Sequence, residues 1–155
     1  MTEHDQKLTE IIKQLLDYMH VQCDVTVQKE ALGEGTNLHA ALASSDNVRF
    51  LIGKDGQNLK ALEHIVRLMY ARHTKDQLSV TLDINDYRRS KALQALELAK
   101  QAVDRVRNSQ KAEALVPMSP YERRVVHLEL ASYSDITTES IGEEPQRRVV
   151  IKPFP

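Results

Sequence analysis

Residues 51–59 read Leu51-Ile52-Gly53-Lys54-Asp55-Gly56-Gln57-Asn58-Leu59, so two glycines three positions apart separate two apolar segments. Residues 46–52 predict one capped helical turn before the glycines. After the glycines, apolar residues recur at helical spacing, at Leu59, Leu62, Val66, Met69 and Tyr70. Glycine lets a backbone approach a phosphodiester, helix N-termini offer N–H groups to phosphate, and Lys54 adds a cation. Taken alone, the segment is better interpreted as a plain corner between helices with a solvated Lys54 and Asp55, so the surrounding topology decides.

The sequence around this glycine turn predicts the element order α-β-β-α-α-β. A first helix has apolar residues at helical spacing, at Leu8, Ile11, Ile12, Leu15, Leu16 and Met19. From Val21 the apolar period changes to two, which predicts a strand with one buried face formed by Val21, Cys23, Val25 and Val27. A turn at residues 33–35 leads to an antiparallel strand with Leu38, Ala40 and Leu42. The third strand, after the second long helix, carries Leu78, Val80, Leu82 and Ile84.

A second domain is predicted after a boundary at Asn85, which divides the chain into residues 1–84 and 85–155. It opens with a long helix whose apolar side holds Leu93, Leu96, Val103 and Val106, with alanines beside them. Residues 114–116 predict a short strand. Ser119 as N-cap, Pro120 in the first turn and Glu122 three positions after the cap predict the start of another helix. Residues 135–140 and 146–152 predict two strands joined by a turn around Gly142.

Arg123 and His127 stand four residues apart on this last helix and share one of its faces. A cation beside a titratable ring is a natural contact for a phosphate and a base. An Arg/His pair at this spacing is more often a solvated helix face, so a binding role for the pair is supported only by the residues around it.

The glycine turn within its α-β-β-α-α-β order resembles the type II KH domain, whose G-x-x-G loop clamps about four nucleotides of single-stranded nucleic acid. Residues 117–127, together with residues 138–151, resemble the small nucleic-acid-binding domain named for its Arg-x-x-x-His motif. In this order the two domains resemble the bacterial Jag family, also called KhpB or SpoIIIJ-associated proteins. The resemblance implies an α+β fold class, with a type II KH domain followed by a small α/β Arg-x-x-x-His domain.

The resemblance also implies which residues bind RNA. Gly53, Lys54, Asp55 and Gly56 would form the KH loop. In the second domain the implied contacts are Arg123, His127 and Arg147. Further basic candidates for phosphate contact are Arg88, which opens the long helix, and Arg124 and Arg148.

The family is expected to act in the cytoplasm as RNA-binding proteins without catalysis, cofactor or metal, with single-stranded DNA as an alternative ligand. Pairing with a small single-KH protein, or with a second copy, is also implied. So is an influence on gene expression, cell division and envelope growth. Many members begin with an extra N-terminal domain, whereas this chain begins at the KH helix. Ile141 stands where a glutamate is common in the family.

Composition narrows the function classes. The composition of the 155 residues, with 21 Lys plus Arg and 22 Asp plus Glu, is typical of a soluble globular protein. The resulting net charge of −1 predicts modest, salt-sensitive affinity for RNA. Cys23 is the single cysteine and has no partner for a disulfide or at zinc-site spacing. No apolar run reaches the roughly 20 residues that span a membrane, and the first residues lack the pattern of a secretory signal.

Two other function classes compete with RNA binding. An enzyme could use His127 with Glu122, or His64 with Glu63, but no catalytic motif accompanies either pair. A protein-interaction adaptor is the stronger alternative. It would dimerise, or pair with a small KH protein, through the sheet edge or the apolar side of helix one, and bind RNA only in that complex.

Overall fold

The computed structural model describes residues 2–32, 35–74 and 78–154. The chain divides into two compact units, Met1–Tyr87 and Arg88–Pro155. Its elements are, in chain order, α1 (Glu3–Tyr18), β1 (Asp24–Leu32), β2 (Gly35–Ala43), α2 (Arg49–Ile52), a 3-10 turn (Lys54–Gly56), α3 (Gln57–Ala71), β3 (Ser79–Ile84), α4 (Tyr87–Ser109), β4 (Glu113–Ala114), α5 (Pro120–Leu130), β5 (Ile136–Ile141) and β6 (Arg148–Pro153). The tip of the turn predicted at residues 33–35, Gly33 and Glu34, lies outside the described residues. No described helix is long and apolar enough to cross a bilayer.

The first unit contains a mixed three-stranded sheet in the order β1-β2-β3. β1 and β2 are antiparallel, with Val25 opposite Leu42, whereas β2 and β3 are parallel, with Leu38 beside Val80. Parallel strands need a crossover connection, which α2, the 3-10 turn and α3 supply here. The predicted order α-β-β-α-α-β is confirmed.

The core of the first unit lies between the sheet and the apolar sides of α1 and α3. The buried residues of the two helical patterns are at most 9% exposed and comprise Leu8, Ile11, Ile12, Leu16, Leu59, Leu62, Val66 and Tyr70. Each buried aliphatic side chain contributes about 1.5–3 kcal/mol relative to exposure. The expectation that the apolar side of α1 could bind a partner is therefore wrong, because this side forms the core.

The first strand begins later than the alternation predicts. The backbone N–H of Val21 donates a 2.9 Å hydrogen bond to the carbonyl oxygen of Leu16, so the chain is still bound to the end of α1 at that point. Pairing with β2 starts at Asp24. Within β1, Val25 and Val27 are half-buried while Thr26 and Gln28 are exposed, which confirms the two-faced strand.

In the second unit, α4 buries its alanine side rather than the full leucine stripe. Its buried residues in the core of this unit are Ala95, Ala99, Ala102, Val103 and Val106. The prediction that Leu93 belongs to the buried side is wrong, since this side chain is 58% exposed. A helix with small residues on its inner side can approach its neighbours closely, which favours the alanine side.

A second sheet, in the order β4-β6-β5, is antiparallel throughout and packs against α5. The start of α5 is confirmed as predicted. Ser119 is the N-cap, and its N–H donates to the Glu122 carboxylate at 2.6 Å. The Glu122 N–H in turn donates to the Ser119 hydroxyl at 3.3 Å, which completes a capping box worth about 1 kcal/mol.

Candidate nucleic-acid interface

The glycine turn between α2 and α3 has an unusual backbone. Gly53 adopts φ 71° and ψ −175°, Asp55 adopts φ 50°, and Gly56 adopts φ 77°. The conformation of Gly53 is essentially restricted to glycine. Three of the four residues in this turn thus lie at positive φ, and only these four residues separate the end of α2 from the start of α3.

Two side chains outside the glycine turn explain why both glycines are needed. A Cβ on Gly53 would lie 2.6 Å from Cγ of Asn58, and a Cβ on Gly56 would lie 3.0 Å from Cε1 of Tyr87. Asn58 also donates a 2.6 Å hydrogen bond from Nδ2 to the carbonyl oxygen of Phe50. The sequence pattern identifies the glycines but gives no sign of the roles of Asn58 and Tyr87, which depend on contacts across the turn.

The surface around the glycine turn is cationic and open. Lys54 and Asp55 are exposed at its tip. The side chains of Lys54, Arg49 and Lys60 make no hydrogen bond or ion pair with any residue that the structure describes. Arg49 lies in α2, and Lys60 in the first turns of α3, so both flank the turn in sequence. Sequence reasoning missed these two cations because nothing in the motif requires them.

Arg123 is brought onto the inner side of α5. Its side chain is only 10% exposed and forms an ion pair with Glu144, in the turn between β5 and β6. Its Nε also donates to the carbonyl oxygen of Met118 at 3.3 Å. The guanidinium therefore joins α5 to the segment before it and to the β5–β6 turn.

His127, one turn further along α5, is bonded to β5 through both ring nitrogens. Nδ1 lies 2.7 Å from the hydroxyl oxygen of Thr138, and Nε2 lies 2.7 Å from that of Ser140. Burial, and second the positive charge of Arg123, lower the pKa of His127 below the ordinary imidazole value. His127 is thus a neutral ring at pH 7 that holds α5 against the sheet.

The remaining basic candidates differ in exposure. Arg124 and Arg147 are exposed, and their side chains make no hydrogen bond or ion pair within the described part of the chain. The carbonyl oxygen of Arg147 accepts a 3.1 Å hydrogen bond from the N–H of Met118, which anchors the β5–β6 turn beside the start of α5. Arg148 is half-buried, with Nε bonded to the Gln146 carbonyl oxygen at 3.2 Å, and Arg88 is half-buried at the start of α4.

Within the second unit the structure therefore brings Arg123, His127 and the backbone of Arg147 together around the β5–β6 turn. The assignment of these residues to RNA binding stays a prediction, as does that of the glycine turn. Among residues 2–32, 35–74 and 78–154, no three His, Cys, Asp or Glu side chains are grouped so that they could hold a metal ion.

Comparison with known families agrees with the two resemblances. The family described as "KhpA/KhpB, KH domain" matches residues 5–84, and the family of the Arg-x-x-x-His domain, also written R-three-H, matches residues 93–153. The first match alone covers more than half of the chain.

Curated relatives match across both units. A protein of Clostridium symbiosum is 33% identical over 94% of this chain and 64% of its own length. A protein of Bacillus subtilis (strain 168) is 34% identical over 83% of this chain and 60% of its own length. Both carry the name RNA-binding protein KhpB, as does a Lactiplantibacillus plantarum protein that is 36% identical over 65% of this chain and 31% of its own length. The chain thus spans less than two thirds of the length of each of these relatives.

Proposed function

This chain belongs to the KhpB (Jag) family of proteins with a KH domain and an Arg-x-x-x-His domain, and we propose that it binds single-stranded RNA and acts by binding rather than by catalysis. The observation that carries the proposal is the glycine turn, in which a positive-φ backbone lies beside exposed cations that have no partner among the described residues. We take residues 1–84 as the KH domain and residues 85–155 as the Arg-x-x-x-His domain.

The glycine turn supplies the main contact in this proposal. Gly53 and Gly56 present a backbone without side chains, which a phosphodiester can approach closely. Lys54 at the tip, with Arg49 and Lys60 beside it, provides charge for the phosphates. Asp55 is next to Lys54 and limits the net positive charge of the turn. Affinity is accordingly modest and salt-sensitive, because few phosphates are neutralised.

The Arg-x-x-x-His domain supplies a second set of contacts. Arg147 and Arg124 are the exposed cations that would reach phosphates, with Arg148 and Arg88 as auxiliary contacts. Arg123 and His127 belong to the same proposed surface and position it, since Arg123 is paired with Glu144 in the turn that carries Arg147. His127 holds the helix that carries Arg124 against β5.

Fluorescence anisotropy of a labelled single-stranded RNA tests this proposal. Wild type is expected to bind saturably at low salt, and more weakly to a duplex of the same sequence. Lys54→Asp should weaken binding by at least tenfold, whereas Lys13→Asp, the same charge change at an exposed position on α1, should not. An absence of saturable binding by wild type would refute the proposal, and matched single-stranded DNA reports whether the 2′-hydroxyl is recognised.

A second candidate function is that of an adaptor, which pairs with a second copy or with a small KH protein. The observation in its favour is that Ile65 and Leu68 of α3 are 47% and 56% exposed, at positions three apart on one helix. Light scattering after size-exclusion chromatography tests it, with and without RNA. If the chain is a monomer in solution and binds RNA without a partner, the adaptor function is excluded.

We also propose that the chain works in the cytoplasm as a post-transcriptional regulator linked to cell division and envelope growth. Deletion of its gene should change transcript levels and cell shape. Wild type should restore both, and the Lys54→Asp variant, which is expected to fold, should restore neither. Restoration by Lys54→Asp would separate the cellular role from RNA binding by the KH loop.

A further inference from the structure

Phe50 is an apolar side chain on the surface immediately before the glycine turn. It is 56% exposed, although its neighbours Val48 and Leu51 are each only 4% exposed in the core. The chain has just two phenylalanines and no tryptophan. Single exposed aromatic rings are common on protein surfaces, so it is the place of Phe50 directly before the glycine turn that makes it a candidate for contact with a ligand.

The position of Phe50 places it next to the proposed RNA contact. Phe50 is the second residue of α2, which ends at Ile52, and Gly53 and Lys54 follow directly after that end. The carbonyl oxygen of Phe50 is held by Asn58 Nδ2 at 2.6 Å. The backbone beneath the ring is therefore fixed relative to the glycine turn.

We propose that Phe50 is a stacking platform for one base of the bound RNA, an inference that rests on the function proposed above. The flanking cations Arg49 and Lys54 hold the phosphates on either side of the stacked base. Every base has a π-face, so this contact adds affinity for single strands without a strong sequence preference. Bases of a duplex are already stacked on one another and are not available to the ring.

The charge around Phe50 favours a nucleic acid over a protein as the occupant. Arg49, Lys54 and Lys60 make no ion pair within the described residues, and exposed lysines are depleted from the cores of protein–protein interfaces. An aromatic ring within a set of cations is the pattern of proteins that bind single-stranded nucleic acids.

The test uses single-stranded RNA of about ten nucleotides, longer than the four that a KH loop clamps. Phe50→Ala and Phe50→Leu should both lower affinity, by about 5- to 150-fold, the range of base–aromatic stacking. Phe50→Leu keeps an apolar side chain without a π-face, so it separates stacking from apolar contact. Phe50→Tyr should bind like wild type. Circular dichroism checks that each variant is folded.

A direct optical readout comes from Phe50→Trp, because the chain has no other tryptophan. Its fluorescence should be quenched by the single strand and not by the duplex. Tyr18→Trp, at a 76% exposed position on α1, is the matched control and should not respond. If wild type binds, but Phe50→Leu binds equally well and Phe50→Trp is not quenched, the stacking inference is wrong while the proposed function stands. If wild type binds no RNA, both fail.

Discussion

Asn58 donates a 2.6 Å hydrogen bond from its side-chain amide to the carbonyl oxygen of Phe50, and this bond closes the glycine turn between α2 and α3. α2 has only four residues, too few to be stable by itself. Carbonyl groups at the end of a helix lack N–H donors from a following turn. In α2 the side-chain amide of Asn58, from the next helix, supplies a donor to one of them. The geometry of the glycine turn thus depends on a residue outside the G-x-x-G motif.

Asn58→Ala tests this dependence. Loss of the hydrogen bond should lower the free energy of unfolding by about 1 kcal/mol and also weaken RNA binding, since the glycine turn is no longer held. Gln57→Ala is the matched control, because Gln57 is exposed at the adjacent position of α3. Urea unfolding gives the comparison, and equal midpoints for the two variants would contradict the role assigned to Asn58.

Gly53→Ala should be far more destabilising than Gly142→Ala, although both glycines have positive φ. At Gly53 a Cβ meets Asn58 at 2.6 Å, whereas at Gly142 the nearest atom would be 3.6 Å away. We expect about 3 kcal/mol for Gly53 and about 1 kcal/mol for Gly142, where only the backbone conformation is strained. Thermal unfolding measures both, and a Gly142 variant as unstable as the Gly53 variant would argue against the contact with Asn58.

Glu144→Ala should destabilise the second unit even though the Glu144 side chain is 51% exposed. Its removal leaves the guanidinium of Arg123 buried without its counter-charge, which costs about 1–3 kcal/mol. Glu143→Ala removes the same charge from the neighbouring exposed position and should change the free energy of unfolding by less than about 0.5 kcal/mol. Similar losses for the two variants would show that the Arg123 ion pair contributes little.

His127 should make stability depend on pH. Burial and the charge of Arg123 lower its pKa in the folded state, so between that lowered pKa and about pH 6.5 the unfolded chain binds a proton that the folded chain does not. Its contribution is therefore complete above pH 6.5 and is lost as the pH falls through the lowered pKa. His127→Gln should lose less stability than wild type between pH 7.5 and 5.5.

His64→Gln, at an exposed position on α3, provides the control for that measurement and should follow the pH profile of wild type. The measurement is the free energy of unfolding of wild type and of both variants at pH 7.5 and at pH 5.5. A His127→Gln profile parallel to that of wild type would contradict the assigned shift.

Local sequence signals were sufficient where local physics determines the structure. The Ser119–Glu122 capping box and the apolar spacing of α1 and α3 predict those helices, because caps and periodicity act over a few residues. The predictions that Val21 belongs to the first strand and that Leu93 lies on the buried side of α4 are wrong. Where a helix ends, and which of its sides is buried, depend on the residues that pack against it. The G-x-x-G pattern likewise identified the turn but not its shape.

The proposed RNA site was only partly accessible from sequence for the same reason. Lys54 is recognisable from its place between two glycines. The outward position of Phe50 depends on the burial of its neighbours in the core, and the internal bonds of Arg123 depend on a turn 21 residues away in sequence. Contacts of this kind carry no signature in a single sequence.

The central claim is that Lys54 contacts a phosphate of single-stranded RNA, and the salt dependence of binding tests it most directly. A plot of log Kobs against log salt has a slope that falls by about 0.7 for each phosphate contact removed from a single strand. We predict that Lys54→Gln reduces the slope by about this amount and weakens binding, while Lys13→Gln on α1 leaves slope and affinity unchanged. A Lys54→Gln variant with the slope and affinity of wild type would contradict the claim.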